Sequence, residues 1–252
     1  YFLAPGETLQ VDAPGILQND TDPENDALSI IIVQNVLNGT LTLQSNGGFT
    51  YIHDGSDSTS DTFTYKINDG AMDSFKTATV TLNIIQAPII QISPQKPISN
   101  SSYHVSISSS GDWIEYHINS SAWEHYTEPF DIDIEGSYSI QARVKHNEDW
   151  LDASPVSFTI DQTPPSPPKN IISNPPENQC TSEVLHIEWD AGTDAQTAIA
   201  GYTYVLDTLE STIPNNQIDS TTLSFVGNNL HAGDHYYFHI SSVDTAGNIS
   251  TP

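Results

Sequence analysis

Five candidate oxygen ligands for a hard cation fall within one short stretch near the start of the chain, and a sixth follows in a later turn. They are Asn19, Asp20, Asp22, Glu24 and Asp26, followed by Asp69 in an Asn-Asp-Gly turn. Ca²⁺ takes about six to eight hard oxygen ligands, so this stretch predicts a calcium site, with Asp69 as a ligand from a distant segment. An EF-hand is excluded, because the glycine and the final glutamate of that loop are missing. The alternative is an Asp-rich turn with solvated carboxylates.

Tryptophan is concentrated in the middle of the chain, where Trp113, Trp123 and Trp150 occur. Exposed indole rings can stack on sugar rings, so Trp123 and Trp150 are candidates for contact with a glycan. The alternative is one core tryptophan with the others covering an end of a β-sandwich. Four nearby histidines lack the ligand spacing of a zinc site. No serine or cysteine nucleophile accompanies the Trp123-Glu124-His125 stretch, so we predict no catalytic residues and no enzyme activity.

The charge balance restricts the partners. The chain has 32 acidic residues against 6 basic ones, for a formal net charge of −26. Such a charge repels nucleic acid and anionic lipid headgroups and attracts divalent cations, so we expect no nucleic-acid partner. Solubility, or a saline habitat that screens the repulsion, explains the excess equally well. The one cysteine, Cys180, excludes an internal disulfide and has no basic neighbour to activate its thiol.

No signal peptide, transmembrane run or lipid anchor is visible, so we expect no direct membrane insertion. The chain begins within a strand-like stretch of sequence and ends at Ser250-Thr251-Pro252. We therefore expect a processed protein or a part of a longer one.

The acidic residues and the tryptophans must be positioned by strands, because short runs of alternating apolar and polar residues dominate the chain. Examples are Leu41-Thr42-Leu43, Phe63-Thr64-Tyr65-Lys66-Ile67 and Val80-Thr81-Leu82-Asn83-Ile84, with Gly-rich and Asn-rich turns between such runs. Helical periodicity is almost absent, and residues 190–200 hold one helical turn at most. Prolines cluster at 88–97 and 161–168, where they favour extended polyproline geometry, and the second cluster predicts a semi-rigid spacer. The pattern predicts an all-β protein of three tandem Ig-like β-sandwich modules joined by Pro-rich linkers, at residues 1–86, 87–161 and 162–252.

The first region carries a specific pattern. It runs through Val11-Asp12-Ala13-Pro14-Gly15-Ile16-Leu17-Gln18-Asn19-Asp20, Asn38-Gly39-Thr40-Leu41 and Asp61-Thr62-Phe63-Thr64-Tyr65-Lys66-Ile67-Asn68-Asp69-Gly70. The order and spacing resemble the cadherin-like tandem repeats of large bacterial surface proteins and adhesins. That family has an acidic cluster ahead of its first strand, whereas only Glu7 and Asp12 occupy that place here.

The other two regions carry further resemblances. The stretch from Ile114 to Val144, with Trp150 and the strand 156–160 after it, resembles the small Ig-like modules at the ends of chitobiase-type enzymes. The spacing Leu230-x-x-Gly233-x-x-Tyr236 resembles the corner of a fibronectin type III domain. This second resemblance implies that the Tyr236 hydroxyl bonds back to the chain and that Trp189 lies in the core.

Together these features predict a non-catalytic extracellular or cell-surface stalk or adhesion segment of a larger bacterial surface protein, stiffened by calcium. Its partners would be neighbouring modules of the same long protein. One alternative is a structural subunit of a filament or surface layer that self-assembles through exposed strand edges. Another is the accessory region of a secreted polysaccharide-active enzyme that binds glycan through Trp123 or Trp150.

Overall fold

The computed structural model describes residues 1–176, 184–228, 230–231 and 234–252. Within these residues the chain is all-β, with strands connected by turns and a single short 3-10 turn at Gly15–Leu17. The all-β prediction is therefore confirmed, and residues 190–200 hold no helix. No helix in the described part of the chain has the length and apolar character needed to cross a bilayer.

The first region forms two facing sheets. Its strands are β1 (Phe2–Leu3), β2 (Thr8–Val11), β3 (Ser29–Gln34), β4 (Gly39–Leu43), β5 (Phe49–His53), β6 (Ser60–Asn68) and β7 (Ala78–Ile84). One sheet has the order β1-β7-β6-β3 and the other β2-β5-β4. Successive side chains of a strand point to opposite faces, so Phe63 and Tyr65 are buried while Thr62 and Thr64 are half-exposed. The buried rings and aliphatic chains of both sheets form one core.

A close backbone approach fixes the 3-10 turn against the β4–β5 hairpin. The Ile16 N–H donates to the Gly47 carbonyl at 3.0 Å. Gly47 has a φ of +92°, and a Cβ there would lie 2.0 Å from the Pro14 carbonyl oxygen. Only glycine fits this position, since a side chain would meet both strain and a backbone clash. The turn that precedes the acidic stretch is thereby tied to the sandwich.

The buried carboxylate of Asp61 organises the entry into β4. It accepts hydrogen bonds from the backbone N–H groups of Leu37, Asn38 and Thr62, and the Tyr51 hydroxyl lies 3.0 Å from its Oδ2. Burial raises the pKa of this carboxyl, but the hydrogen bonds outweigh it and hold the pKa below its ordinary value. One side chain therefore links β4, β5 and β6.

The middle region contains nine short or medium strands among the described residues. They are β8 (Ile89–Ser93), β9 (Ile98–Ser99), β10 (Tyr103–Ser108), β11 (Ile114–Ile118), β12 (Glu124–His125), β13 (Phe130–Ile132), β14 (Gly136–His146), β15 (Asp149–Asp152) and β16 (Val156–Ile160). Strand β11 pairs antiparallel with β12 and with residues 140–144 of β14, and β14 forms a hairpin with β15. Residues 103–105 pair with β13, while β9 and β16 pair in parallel. The first proline-rich joint is thus not a free spacer, because β8 lies within it.

The last region has strands β17 (Lys169–Asn174), β18 (Val184–Asp190), β19 (Ile199–Asp207), β20 (Ser224–Asn228) and β21 (Tyr237–Asp244). They form the sheets β17-β18-β20 and β19-β21, around a core of Ile187, Trp189, Tyr202 and Ile240. The second proline-rich joint has no regular secondary structure, but Asp161, Pro165 and Pro168 in it are buried. It is a packed segment, which is more than the semi-rigid spacer that its prolines predict.

The described chain forms two compact units. The first comprises residues 1–91, 106–128 and 140–156, and the second residues 92–105, 129–139 and 157–252. Each unit contains one end region with part of the middle region, and the second proline-rich joint lies wholly within the second unit. The division into three modules at 86 and 161 stays a prediction.

We expect Asp61→Asn to lower the free energy of unfolding by about 1–3 kcal/mol near neutral pH, because a buried acceptor of three N–H groups is weakened. The folded-state pKa is lowered, so the stabilisation by Asp61 exists above the unfolded-state pKa and is lost as the pH falls through the folded-state value. Urea unfolding should therefore show a gap between the parent and Asp61→Asn that closes in acid. The exposed Asp57→Asn is the control, and a gap that widens in acid would contradict this account.

Candidate functional site

The acidic stretch 19–26 lies in a loop that leads into β3, and its carboxylates are mostly bonded within the loop. The Asp22 Oδ1 accepts the N–H groups of Glu24 and Asp26 at 3.0 and 2.9 Å. Asp20 is half-buried, its Oδ2 has no hydrogen-bond partner, and burial raises its pKa. Asn19, Glu24 and Asp26 are exposed. The loop therefore holds one carboxylate oxygen that is sheltered and free.

Asp69 follows β6, at the end of the sheet where the acidic loop enters β3, because Ser29 pairs with Asn68. Its Oδ1 accepts the N–H groups of Ala71 and Met72, and these hydrogen bonds lower its pKa. No three carboxylates from this end of the sheet lie within ligand range of one another in the described residues. The calcium site at Asn19, Asp20, Asp22, Glu24, Asp26 and Asp69 stays a prediction.

Three other carboxylates converge in the second unit. Asp161 follows β16, Asp194 lies in the β18–β19 connection, and Asp244 ends β21. One carboxylate oxygen from each lies within 4.8 Å of the other two. Asp161 and Asp244 are almost fully buried, at 0% and 2% exposure, and Asp194 is half-buried. We refer to these three residues as the aspartate trio.

Neutral donors hold the aspartate trio in place. The Thr197 hydroxyl donates to Asp161 Oδ2 at 2.6 Å, and the Thr197 N–H donates to Asp194 Oδ1 at 2.6 Å. Asp244 Oδ1 accepts the N–H groups of Gly247 and Asn248 at 2.7 and 2.9 Å. No lysine, arginine or histidine of the described residues forms an ion pair with the trio. Three hard oxygen donors without a cationic side chain match the preference of Ca²⁺.

No local sequence pattern indicates the trio, because its members are dozens of residues apart in the chain. The three aspartates form a group only because the fold brings together the ends of β16 and β21 and the β18–β19 connection.

Trp123 and Trp150 both pack on the one arginine of the chain. The Arg143 guanidinium carbon lies 4.0 Å from the ring centroid of Trp123 and 4.1 Å from that of Trp150. The same guanidinium donates to Glu115 Oε2 from Nη2 at 2.6 Å and from Nε at 3.0 Å. Such cation–π contacts stabilise the β11–β14–β15 face and explain both rings without a ligand. Glycan contact at Trp123 or Trp150 stays a prediction.

Glu115 continues this arrangement. Its Oε1 accepts the Trp113 indole N–H at 3.2 Å, and the Trp113 ring stacks on His125 with centroids 3.9 Å apart. Burial raises the pKa of Glu115, but the hydrogen bonds from Arg143 and Trp113 bring it below its ordinary value. All three middle-region tryptophans therefore contact protein groups.

Side chains on both sides of the first proline-rich joint are bonded to each other. The buried His146 Nε2 lies 2.7 Å from the Glu7 Oε2, which also accepts the Ala4 N–H. The Ser109 hydroxyl donates to the Gln86 carbonyl at 3.1 Å. Gly111 allows the two regions to touch, since a Cβ there would lie 2.5 Å from Val144 and 3.3 Å from Ile85.

The second joint is hydrogen-bonded to residues before and after it. The Asn248 amide donates to the Asp161 carbonyl at 2.7 Å, and the Thr163 hydroxyl donates to Glu135 at 2.9 Å. The Gln196 amide also donates to Glu135. Glu135 thereby contacts the joint and the β18–β19 connection at once.

The expected fibronectin-like details of the last region are present where the structure describes them. The Tyr236 hydroxyl accepts the backbone N–H of His231 at 3.2 Å, so the predicted tyrosine corner is confirmed. Trp189 is 3% exposed and packs edge-on to Tyr202 at 5.3 Å, which confirms its core position. Gly233 of the corner and Cys180, whose thiol is predicted to be unreactive, lie outside the described residues.

The paired sheets and the Tyr236 hydrogen bond define an all-β protein of sandwich-like regions, the first of which is cadherin-like. Residues 3–86 match the family model of the bacterial cadherin-like domain, so the resemblance of the first region is confirmed. The chitobiase-type resemblance of the middle region stays a prediction. No curated protein matches the chain in sequence.

Several solved structures are similar in fold. Titin domains A168–A170 share 13% identity, with 89% of this chain and 85% of that chain covered and a TM-score of 0.47. Fibronectin(III)-like modules of Clostridium thermocellum CbhA share 10% identity over 65% and 90% of the chains, with a TM-score of 0.39. The FN1–FN3 domains of chicken CNTN1 share 10% identity over 92% and 88%, with a TM-score of 0.37.

We expect Arg143→Gln to lower the free energy of unfolding by about 2 kcal/mol, because both indole contacts are lost and Glu115 keeps no cation. Unfolding followed by tryptophan fluorescence measures it. Lys145→Gln, two positions along the same strand and exposed, is the matched control and should change stability little. Equal effects of the two substitutions would show that general charge, and not the Arg143 contacts, stabilises this face.

Proposed function

We propose that this chain is a non-catalytic extracellular stalk or adhesion segment of a larger bacterial surface protein, whose modules transmit position and load to their neighbours. The observation that carries the proposal is that hydrogen bonds join the chain before and after each proline-rich joint, between His146 and Glu7 at the first joint and between Gln196 and Glu135 at the second. A flexible tether needs no such bonds, whereas a spacer that holds adjacent modules at fixed angles does. The family match of residues 3–86 to bacterial cadherin-like domains supports the surface location.

The proposal includes stiffening by calcium. Two places offer hard oxygen donors: the predicted loop with Asp20, Asp22 and Asp26, and the aspartate trio, which includes Asp161 of the second joint. A cation held by the trio would connect the end of β16 to the end of β21 and so resist bending of that joint. The net charge of −26 favours divalent cations at both places.

Calorimetric unfolding of the intact chain with Ca²⁺, and then with excess EDTA, tests the stiffening. A ligand that binds only the folded state adds about 2.7 kcal/mol at a hundredfold excess over Kd. We expect Ca²⁺ to raise the melting temperature. If the trio binds the ion, Asp244→Asn removes the rise, and if the loop binds it, Asp22→Ala does. The exposed Asp57→Asn is the control.

Identical traces of the parent in Ca²⁺ and EDTA would refute calcium stiffening. A stability loss in Asp244→Asn or Asp22→Ala of the same size in EDTA as in Ca²⁺ would show that the residue acts through its protein hydrogen bonds alone.

Hydrogen exchange tests the fixed joint. We expect His146→Ala to speed amide exchange both in the β14–β15 hairpin and in β2, because Glu7 loses its buried partner and the two regions separate. His104→Ala, which removes an exposed histidine–aspartate pair, is the matched control and should change neither. Faster exchange in the hairpin alone would contradict mechanical coupling across the joint.

A further inference from the structure

Strand β3 is an unprotected sheet edge. It ends the order β1-β7-β6-β3, and no other strand of the described residues pairs with its outer side. Its sequence, Ser29 to Gln34, contains no charge and no proline. Three of its side chains are exposed although apolar: Ile31 at 41%, Ile32 at 37% and Val33 at 53%. Soluble proteins normally block such edges with charged residues, prolines or covering loops.

One protective device is present, but it covers only the end of the strand. The register shifts between Ile32 and Gln34, which marks a bulge at Val33. Ser29, Ile30, Ile31 and Ile32 keep a regular register with β6. Their outward N–H and C=O groups are therefore arranged to receive another strand.

The charge distribution around β3 is unusual for this chain. No Asp, Glu, Lys or Arg occurs from Ala27 to His53, although the chain has 32 acidic residues. This charge-free segment supplies β3, β4 and β5. The acidic loop with Asp22, Glu24 and Asp26 lies immediately before it. Two copies of so acidic a chain can approach closely only where charge is absent, and β3 is the exposed edge within that segment.

We propose that β3 docks onto β3 of a second copy of this chain, in an antiparallel arrangement about a two-fold axis. Antiparallel pairing places the acidic loop of one copy beside the uncharged Gln34–Leu37 end of the other, so like charges stay apart. Parallel pairing would bring the two acidic loops together. The isoleucines then face each other across the new ladder, where β-branched pairs stabilise a sheet, and one patch serves both copies.

The salt dependence of the affinity distinguishes a second copy of this chain at β3 from a basic peptide of another protein. Repulsion between two chains of charge −26 opposes pairing and is screened as the Debye length falls from about 30 Å at about 0.01 M salt to about 3 Å at about 1 M. Pairing of two copies therefore strengthens with salt. Binding of a basic peptide to the acidic loop and β3 would weaken.

Sedimentation equilibrium of the intact chain in EDTA tests the proposal, with NaCl varied over that range and protein up to about 1 mM. EDTA keeps the result independent of calcium stiffening. We expect monomers at low salt and dimers at high salt. Ile31→Glu should raise the dimer Kd at least about tenfold, because it places a charge at the edge. Lys66 lies directly opposite residue 31 on β6 and can pair with the new carboxylate, so the fold should be kept.

Ile52→Glu is the matched control. The exposed fraction of Ile52, 46%, is similar to the 41% of Ile31, but β5 has a partner strand on each side. This variant should dimerise like the parent. Melting curves check that both variants are folded, and Val33→Lys repeats the test if Ile31→Glu is not. A parent that stays monomeric at about 1 M salt, association that weakens with salt, or equal loss in both isoleucine variants would each overturn the proposal.

Discussion

A shortage of cations governs how this protein holds its carboxylates. With 6 basic residues for 32 acidic ones, ion pairs can neutralise only a few of them. Backbone N–H groups take their place: Asp22, Asp61, Asp69 and Asp244 each accept two or more. Each of these hydrogen-bonded carboxylates also fixes a turn, so the acidity is part of the fold. Arg143 and Glu115 form the one ion pair between a lysine or arginine and a carboxylate in the described residues.

Because cations are scarce, contacts between the regions of the described chain depend on uncharged and apolar groups. Where no cation is available, regions meet through neutral donors and close backbone contact, as at Gly111 and at the Ser109–Gln86 hydrogen bond. The first joint also places the buried His146 imidazole against the Glu7 carboxylate, at 2.7 Å. The joints are therefore built from small residues, amides and hydroxyls, which tolerate a strongly negative surface.

Local patterns predicted much of the fold, because strands and turns are local. Phe63 to Ile67 alternates as a strand with one buried face, and the Tyr236 corner was recognised from its spacing. The prolines of residues 88–97 predicted a linker without strands. The β-branched residues Ile89, Ile90 and Ile92 form a strand there instead, because β-branched side chains favour strands. The acidic stretch 19–26 was visible because its members are neighbours in sequence. The aspartate trio was not, since only the closure of the last region brings its members together.

Arg143 has a consequence for how proteases reach the middle region of the chain. Proteases that cleave after lysine or arginine find only six such residues in 252, and one arginine among them. The Arg143 side chain is 22% exposed, lies against two indole rings, and belongs to a strand with neighbours on both sides. Such enzymes bind their substrates as accessible, extended segments, so the central β11–β14–β15 sheet presents this cleavage point only after it has unfolded. Cleavage after Arg143 would therefore report the opening of this sheet, whereas cleavage after the exposed Lys76 or Lys96 would not.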